Sequence, residues 1–256
     1  MSRKYKMSSA QKRLFVLHEM HKSDITYNIP ILLKVKGELN VDQLSQAFNQ
    51  LCSRHELLRT HFSHNKDKFL QIIEDEVQLK LEYSVGRLEA IPNLFEQFIR
   101  PFNLREAPLM RAKLVQTSKD EYILMLDIHH IIFDDGSTDV LLSDLSCLYS
   151  GMKLPELRVQ YKDYSAWQNA RDLQEQEAYW LEEFSGDVPV LDVKTDYARP
   201  QHQSHKGGSL NTWVTRKHNE AVKKLAKRSG ATEYMVLLSA FMQLMGRYSR
   251  QEEIVV

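Results

Sequence analysis

Apolar residues recur at helical spacing over much of the chain. The clearest case is NVDQLSQAFNQLCSRHELLRT, residues 40–60, which begins with Asn40 in the position of an N-cap. Four apolar residues lie there at i, i+3, i+4 and i+7: Leu44, Ala47, Phe48 and Leu51. The same spacing predicts further helices over residues 9–20, 91–99, 137–150, 161–185, 220–229 and 233–249.

Other stretches have the pattern of β-strands. Residues 109–130 predict a hairpin with the turn TSKDE, and its second arm, Tyr122–Ile128, is almost continuously apolar, as in a strand buried on both faces. Further strands are predicted over residues 28–37, 68–73, 77–83, 209–215 and 252–256. Helices and strands in this order favour the α/β class, an α+β sandwich with a mixed sheet and flanking helices.

Composition narrows the function classes. The 256 residues include 34 basic and 34 acidic side chains, so no net field attracts nucleic acid or an anionic membrane. No apolar run approaches the roughly 18 residues of a membrane span, and the first residues lack the apolar core of a secretory signal. Cys52 and Cys147 form no CxxC pair and are interpreted as reduced thiols. A soluble cytoplasmic protein without nucleic-acid or membrane partners is expected.

One stretch has the composition of a linker. Residues 186–208 hold a Gly–Gly pair and two prolines without periodicity. We therefore predict a first domain over 1–185 and a second over 209–256, which ends on the start of a strand and is expected to be incomplete. His202 and His205 lie in this linker, and no chemical role is expected for them.

The stretch LDIHHIIFDDGSTDV, residues 126–140, contains the strongest chemical candidate. Successive side chains of a strand point to opposite faces, so His129 and His130 cannot easily bind one ion. No HExxH, CxxC or i,i+4 histidine pair completes a ligand shell elsewhere. We predict no metal site.

The same alternation predicts that one histidine points inward and the other toward a cavity at the strand end. An imidazole there can accept a proton near neutral pH. A helix that opens with Ser137 or Thr138 as its cap would leave backbone N–H groups nearby, which suits acyl transfer. No Gly-x-Ser-x-Gly elbow occurs, so the nucleophile would come from the substrate. The alternative is that both histidines are only hydrogen-bonded core residues.

Several motifs resemble those of the condensation domains of nonribosomal peptide synthetases. The family motif HHxxxDGxS is matched by HHIIFDDGS, which supplies His129, His130, Asp134 and Ser137. Further matches follow in the family's order: SSAQKRLFVL (Ser8–Leu17), RHELLRTHF (Arg54–Phe62), FIRPFNLREAPLMRAKL, YKDYSAWQ (Tyr161–Gln168) and TDYARPQHQSHKGG. Together these matches cover nearly the whole chain.

The resemblance implies a fold and a reaction. It implies two lobes, each similar to chloramphenicol acetyltransferase, that meet at a tunnel; this chain would supply the first lobe and the start of the second. His130 would face the tunnel and either take up the proton of the attacking amine or orient that amine, while His129 and Asp134 support the motif, Asp134 through an ion pair. No cofactor of its own is implied. Phosphopantetheine arms would arrive with a donor and an acceptor carrier protein, and further partners would be the adenylation domain of the same module and the remainder of the second lobe.

The motif departs from the family at one position. Asp135 stands where the family has glycine, and the glycine follows at Gly136. A carboxylate there could crowd the tunnel or raise the pKa of a nearby histidine, or the turn could tolerate Asp. We expect reduced but intact function.

Four more residues are structural or tunnel candidates: Arg54, Arg59, Tyr161 and Trp167. The two arginines could form an ion-paired brace with Glu56 or lie on a solvated helix end, and Trp167 is expected to pack in the core together with Tyr179 and Trp180.

Three alternative functions remain open at this point: an epimerization domain of the same superfamily, a non-catalytic carrier-docking module, and a free-standing acyltransferase.

Overall fold

The structure, a computed structural model, describes residues 2–66, 68–201 and 207–255. The predicted linker histidines His202 and His205 lie outside the described residues. The chain divides into two compact units, Met1–Arg171 and Asp172–Val256. The predicted division at residues 186–208 stays a prediction.

The described residues of the first unit form seven strands and five α-helices in mixed order, which confirms the predicted α/β class. The strands are β1 (Arg3–Lys6), β2 (Asn28–Lys36), β3 (Thr60–Asn65), β4 (Lys68–Ile73), β5 (Leu81–Val85), β6 (Met110–Ser118) and β7 (Glu121–His129). The helices are α1 (Ser9–Met20), α2 (Val41–Arg54), α3 (Ile91–Phe98), α4 (Ser137–Tyr149) and α5 (Tyr161–Ala170). A short 3₁₀ helix, Glu56–Arg59, follows α2, and another, Leu88–Ala90, precedes α3.

The strands form two sheets. The larger has the order β2-β7-β6-β5, with β5 parallel to β6 and the other pairs antiparallel. The smaller is antiparallel with the order β1-β4-β3. The central strand β7 is paired on both sides, so its end at His129 is held by β2 as well as by β6.

The core lies on both faces of β7, as its apolar run predicts. Leu124, Leu126 and Ile128 belong to the main apolar cluster, to which α2 and α4 also contribute. Ile123 and Met125 belong to a smaller cluster with α3. The alternation of side chains along the strand therefore separates two layers of packing.

Most predicted elements of the first unit are confirmed, and Asn40 caps α2 by accepting from the backbone N–H of Gln43. The strand predicted over 77–83 begins only at Leu81, because the backbone N–H of Leu79 donates to the side chain of Asn49 instead of a neighbouring strand. Strands β1 and β3 were not predicted. Their sequences RKYK and THFSHN lack a clear apolar alternation, and pairing with β4 makes them strands.

The long helix predicted over 161–185 is wrong, because α5 ends at Ala170 and a new helix, α6 (Gln174–Glu183), begins in the second unit. The side chain of Asp172 accepts from the backbone N–H of Gln174 and so starts that helix separately.

The second unit also contains α7 (Arg216–Ser229) and α8 (Glu233–Ser249), both close to their predicted positions. The strands predicted at 209–215 and 252–256 are wrong for the residues described there, since a strand requires a partner and both described sheets consist of β1 to β7. No described helix combines the length and apolar character needed to cross a membrane.

Candidate functional site

The two histidines of the motif sit where β7 leaves the sheet. The backbone N–H of His129 donates to the carbonyl of Leu109 at 3.0 Å, and that of His130 donates to the carbonyl of Tyr27 at 2.8 Å. These two bonds hold consecutive residues from opposite sides, so the positions at which the imidazoles leave the backbone are closely defined.

His129 is a buried residue, with 2% of its surface exposed. Its Nδ1 accepts the backbone N–H of Ile131 at 3.1 Å, and its ring lies edge-on to His18 and Phe102. Burial lowers the pKa of His129 from 6.5 to about 3, and His18 and His130 act in the same direction. His129 is therefore neutral near pH 7 and serves to fold the turn that follows it.

His130 is exposed. Its Nδ1 lies 2.8 Å from the carbonyl oxygen of Phe133. A carbonyl oxygen only accepts, so Nδ1 carries the hydrogen and, in the neutral ring, Nε2 keeps a free lone pair. The turn thus orients the ring and leaves one nitrogen available as a base, and the structure places the two histidines in the different environments that alternation predicts.

The turn after the histidines is closed by Asp134. Its Oδ1 accepts the backbone N–H of Ser137 at 3.0 Å and also the Ser137 hydroxyl. The partner of Asp134 among the described residues is therefore Ser137 rather than the basic side chain expected for an ion pair. Gly136 occupies the N-cap of α4, and neither Ser137 nor Thr138 does, because the Asp134 carboxylate already bonds the first turn.

Asp135 fits its turn without strain. Outside glycine, positive φ occurs in the described chain at Lys66 and Arg250, so Asp135 does not need the left-handed conformation. Asp135 is exposed, and Gly136 has φ −63° and ψ −21°, which any residue can adopt. Aspartate at position 135, where the family has glycine, is therefore compatible with the backbone of this turn.

The N-terminal motif comes to the same region. The Ser8 hydroxyl lies 2.9 Å from the hydroxyl of Tyr161, 153 residues away, and Ser8 and Gln11 form a capping box at the start of α1. Burial raises the pKa of Tyr161, and the charge of Asp134 acts in the same direction. Ser8 and Gln11 belong to the SSAQKRLFVL motif, and this motif is the sequence feature that could have identified them as site residues.

A buried carboxylate organises the neighbouring surface. Glu56 pairs with Arg3 at 3.0 Å, with Arg59 at 3.6 Å and with Lys162. Glu56 and Arg59 are buried, so the ion-paired brace is the observed arrangement and the solvated helix end is wrong for Arg59.

Arg54 makes a separate contact. Its Nε donates to Asp144 at 2.8 Å, and the Nε2 of His55 lies 2.8 Å from the same carboxylate oxygen. These contacts tie the end of α2 to the middle of α4.

The core role predicted for Trp167 is wrong. Trp167 is 55% exposed, as are Tyr179 and Trp180 to similar extents, so helical spacing alone misassigned their face. Tyr164 and Arg171 pack against the Trp167 ring on the surface of α5.

Two groups near the histidines, His18 and Asp127, were not predicted. Nothing in the sequence pointed to His18, because a single histidine on an amphipathic helix is common. Asp127 could have been identified, because a charged residue within an apolar strand is unusual. It is fully buried and bonds Arg111 at 2.7 Å and Asn28 at 2.9 Å, which joins β7 to both of its neighbours.

A cavity of about 180 Å³ lies beside the motif turn. Its walls come from His55, which follows α2, from the 3₁₀ helix after it, from the turn and from the start of α4. Within the described part of the chain, no group of three or more His, Cys, Asp or Glu side chains could hold a metal ion.

Comparison with known proteins shows one family. The family model "Condensation domain" matches residues 1–256. Gramicidin S synthase 2 of Aneurinibacillus migulanus is 40% identical over 98% of this chain, which spans 6% of that protein. Bacitracin synthase 2 of Bacillus licheniformis is 41% identical over 98% of the chain, which spans 10% of that protein.

Solved structures show the same fold. A complex of the X-domain and OxyB from teicoplanin biosynthesis matches with a TM-score of 0.84 and 24% identity over 96% of this chain and 57% of that one. A four-domain nonribosomal peptide synthetase, holo-AB3403, matches with a TM-score of 0.84 and 22% identity over 98% of this chain and 20% of that one. At these identities the likeness concerns the fold, which is that of a chloramphenicol-acetyltransferase-like lobe.

Proposed function

The chain belongs to the condensation-domain family of nonribosomal peptide synthetases, and from that premise we propose that it forms an amide bond between two aminoacyl groups. Each group would arrive as a thioester on the phosphopantetheine arm of a carrier protein, one as donor and the other as acceptor. The adenylation domain of the same module would supply the acceptor. The chain spans a small share of its curated relatives. The remainder of a second lobe, which the resemblance to two-lobed condensation domains implies, is a further proposed partner.

The observation that supports this proposal most directly is the orientation of His130. With Nδ1 bonded to the carbonyl of Phe133, Nε2 is the nitrogen that can accept a proton. An attacking amine needs such an acceptor, because the C–N bond can only be completed when the nitrogen loses a proton. Nε2 would either take that proton or orient the amine by accepting a hydrogen bond from it.

The reaction balances without an added reagent. The acceptor amine attacks the donor thioester carbonyl, the C–N bond forms and the C–S bond breaks. The proton that leaves the nitrogen ends on the released thiol of the donor arm. The chain itself would supply the base and the positioning, and the arms would supply both reacting groups.

A single-turnover assay tests the proposal. Two carrier proteins loaded with aminoacyl arms are mixed with this chain, and the arms are analysed by mass spectrometry. We expect a dipeptidyl arm from the parent chain and at least a 100-fold slower reaction from His130→Ala, since general-base catalysis typically contributes about that much or more. His21→Ala removes an exposed histidine and is the matched control, with an unchanged rate expected.

Asp135→Gly restores the family residue and separates two explanations for weak activity. A dipeptide from Asp135→Gly but not from the parent chain would place the fault in the motif. If neither protein forms a dipeptide yet both bind loaded carrier protein, the catalytic proposal is contradicted for this chain and a docking role replaces it.

A further inference from the structure

The cavity beside the motif turn is lined almost entirely by apolar side chains. They are Leu57, Leu58, Ile132, Phe133, Val140 and Leu141. Leu58, Ile132, Phe133 and Leu141 are buried, whereas Val140 is 52% exposed. The cavity therefore has a buried apolar floor, and its accessible edge lies at Val140 and Gly136.

The cavity adjoins the turn that holds His130, the proposed base. Phe133 lines it and also provides the carbonyl that holds Nδ1 of His130. Two further motif residues, Gly136 and Ser137, contribute to the same wall. A group bound in the cavity would therefore lie next to the turn that orients the base.

The lining excludes charged occupants. Its one titratable side chain is His55, whose Nε2 is already engaged by the Asp144 carboxylate at 2.8 Å. An ion placed among the other side chains would lose its hydration without gaining a partner, which costs far more than the cavity can return. An aliphatic group loses nothing by the same transfer and gains from burial.

The volume sets the size of the occupant. An apolar cavity of about 150 Å³ is known to hold a benzene molecule. A cavity of about 180 Å³ therefore accommodates a branched aliphatic group such as the side chain of valine, leucine or isoleucine.

We propose that this cavity binds the uncharged aliphatic side chain of one of the two aminoacyl groups, and so selects apolar residues at that position of the product. This proposal rests on the proposed function, and it names the substrate class that the first unit prefers. The donor and the acceptor group share the chemistry that the cavity recognises, so the experiment has one arm for each.

The first measurement detects binding without turnover. The full chain, labelled at its Leu and Val methyl groups, is titrated with the leucyl and the aspartyl amides of amino-pantetheine, which cannot react. We expect the leucyl compound to shift the methyl resonances of Leu57 and Val140 and the aspartyl compound to leave them unchanged.

Two variants on α4 provide the comparison. Val140→Phe places a larger side chain at the edge of the cavity, whereas Ser143→Phe adds the same side chain at an exposed position outside it. The Leu57 shift is expected to disappear in Val140→Phe and to persist in Ser143→Phe. Equal shifts from both compounds, or an undiminished Leu57 shift in Val140→Phe, would overturn the proposal.

The second measurement identifies the source of the side chain. In one arm a leucyl or aspartyl donor is paired with a glycyl acceptor, and in the other the two roles are exchanged. A preference for leucyl over aspartyl of at least about tenfold in kcat/KM is expected in one arm, since burying such a side chain contributes about that factor or more. Val140→Phe is expected to abolish the preference. Equal kcat/KM values for the leucyl and the aspartyl substrate in each of the two arms would overturn the proposal.

The two proposals fail in different ways. If no pair of substrates forms an amide but the leucyl compound still shifts Leu57 and Val140, the proposed function fails while the cavity stands. If amides form without any preference and without methyl shifts, the function stands and the cavity proposal fails.

Discussion

At the scale of single residues, the two neighbouring histidines have opposite properties. His129 is enclosed by His18 and Phe102 and accepts a backbone N–H, so its charged form is strongly disfavoured. His130, one residue further along, is exposed and keeps a free Nε2. One histidine folds the turn, and the other is presented by it.

The burial of His129 predicts a pH dependence of stability. Its folded pKa of about 3 lies below the ordinary value of 6.5, so the unfolded state binds more protons between these pH values. The free energy of unfolding should therefore fall as the pH decreases from about 6.5 toward 3, by up to about 1.4 kcal/mol per pH unit for this one group. Urea unfolding at several pH values measures the slope.

The replacement His129→Asn tests the assignment. Asparagine keeps an acceptor for the N–H of Ile131 and removes the titrating ring, so a shallower slope is expected. His18, whose pKa burial also lowers, and carboxyl groups with a lowered pKa, such as those of Glu19 and Asp144, would contribute to the slope that remains. His21→Asn, at an exposed position, should leave the slope unchanged. A His129→Asn slope equal to that of the parent chain would contradict the assignment.

At the scale of the elements, an ion pair between a fully buried carboxylate and a partly buried guanidinium joins the three strands that carry the site. Asp127 of β7 bonds Arg111 of β6 and Asn28 of β2, and Arg111 also bonds the carbonyls of Arg100 and Pro101. Asn28 is the register partner of His129, and Arg111 that of Asp127. One carboxylate therefore fixes the end of the sheet from which both histidines extend.

Replacing one partner of this ion pair should destabilise the protein more than replacing both partners together. Asp127→Leu or Arg111→Met alone leaves an uncompensated charge in or near the core and should destabilise the first unit by about 3–5 kcal/mol. The double variant Asp127→Leu/Arg111→Met should be clearly more stable than the sum of the two losses predicts. Urea unfolding of all four proteins gives the coupling energy, and additive losses would show that the pair acts only as two independent residues.

A second link between elements joins α1 to α5. The Ser8–Tyr161 hydrogen bond joins two of the motifs. Because Tyr161 is partly buried, loss of this bond would leave a polar group without a partner away from water. Tyr161→Phe should lower the free energy of unfolding by about 0.5–1.5 kcal/mol. Tyr164→Phe is the control on the same helix, because Tyr164 is 42% exposed. An equal effect of both changes in thermal unfolding would show that the link contributes no stability.

At the scale of the whole molecule, the core is unevenly distributed. Apart from Ala226, every buried apolar residue of the described chain lies between Met7 and Leu145. In α8, by contrast, six large apolar side chains are exposed: Tyr234, Met235, Leu237, Phe241, Leu244 and Tyr248. The first unit therefore has the larger share of the apolar burial that stabilises a fold.

Limited proteolysis should reveal this difference. At low trypsin concentration, cleavage beyond Arg171 is expected first, and a fragment that contains the first unit should persist. Mass spectrometry of the time course identifies the cuts. Early cleavage within α2 or β6, with the second unit still intact, would contradict the expected order of stability.

The sequence by itself determined most of the helices, the central strand and the family. Apolar spacing placed α2, α4 and α8, a continuous apolar run identified β7, and ordered motifs indicated the condensation-domain family. Each of these patterns is local, because helical periodicity and a buried strand can be recognised within a short window of neighbouring residues. The short strands β1 and β3 were missed because their own side chains carry no such pattern.

The family resemblance indicated His130 as the reacting histidine, but only the tertiary structure decided that His129 is buried and which nitrogen of His130 is free. The enclosing rings of His18 and Phe102 come from distant segments, and the partner of Tyr161 lies 153 residues away. The same is true of Asp127, whose charge is tolerated in the core because β6 and β2 bring Arg111 and Asn28 to it. Burial and charge pairing depend on which segments meet in space, so they follow from the fold and not from local sequence.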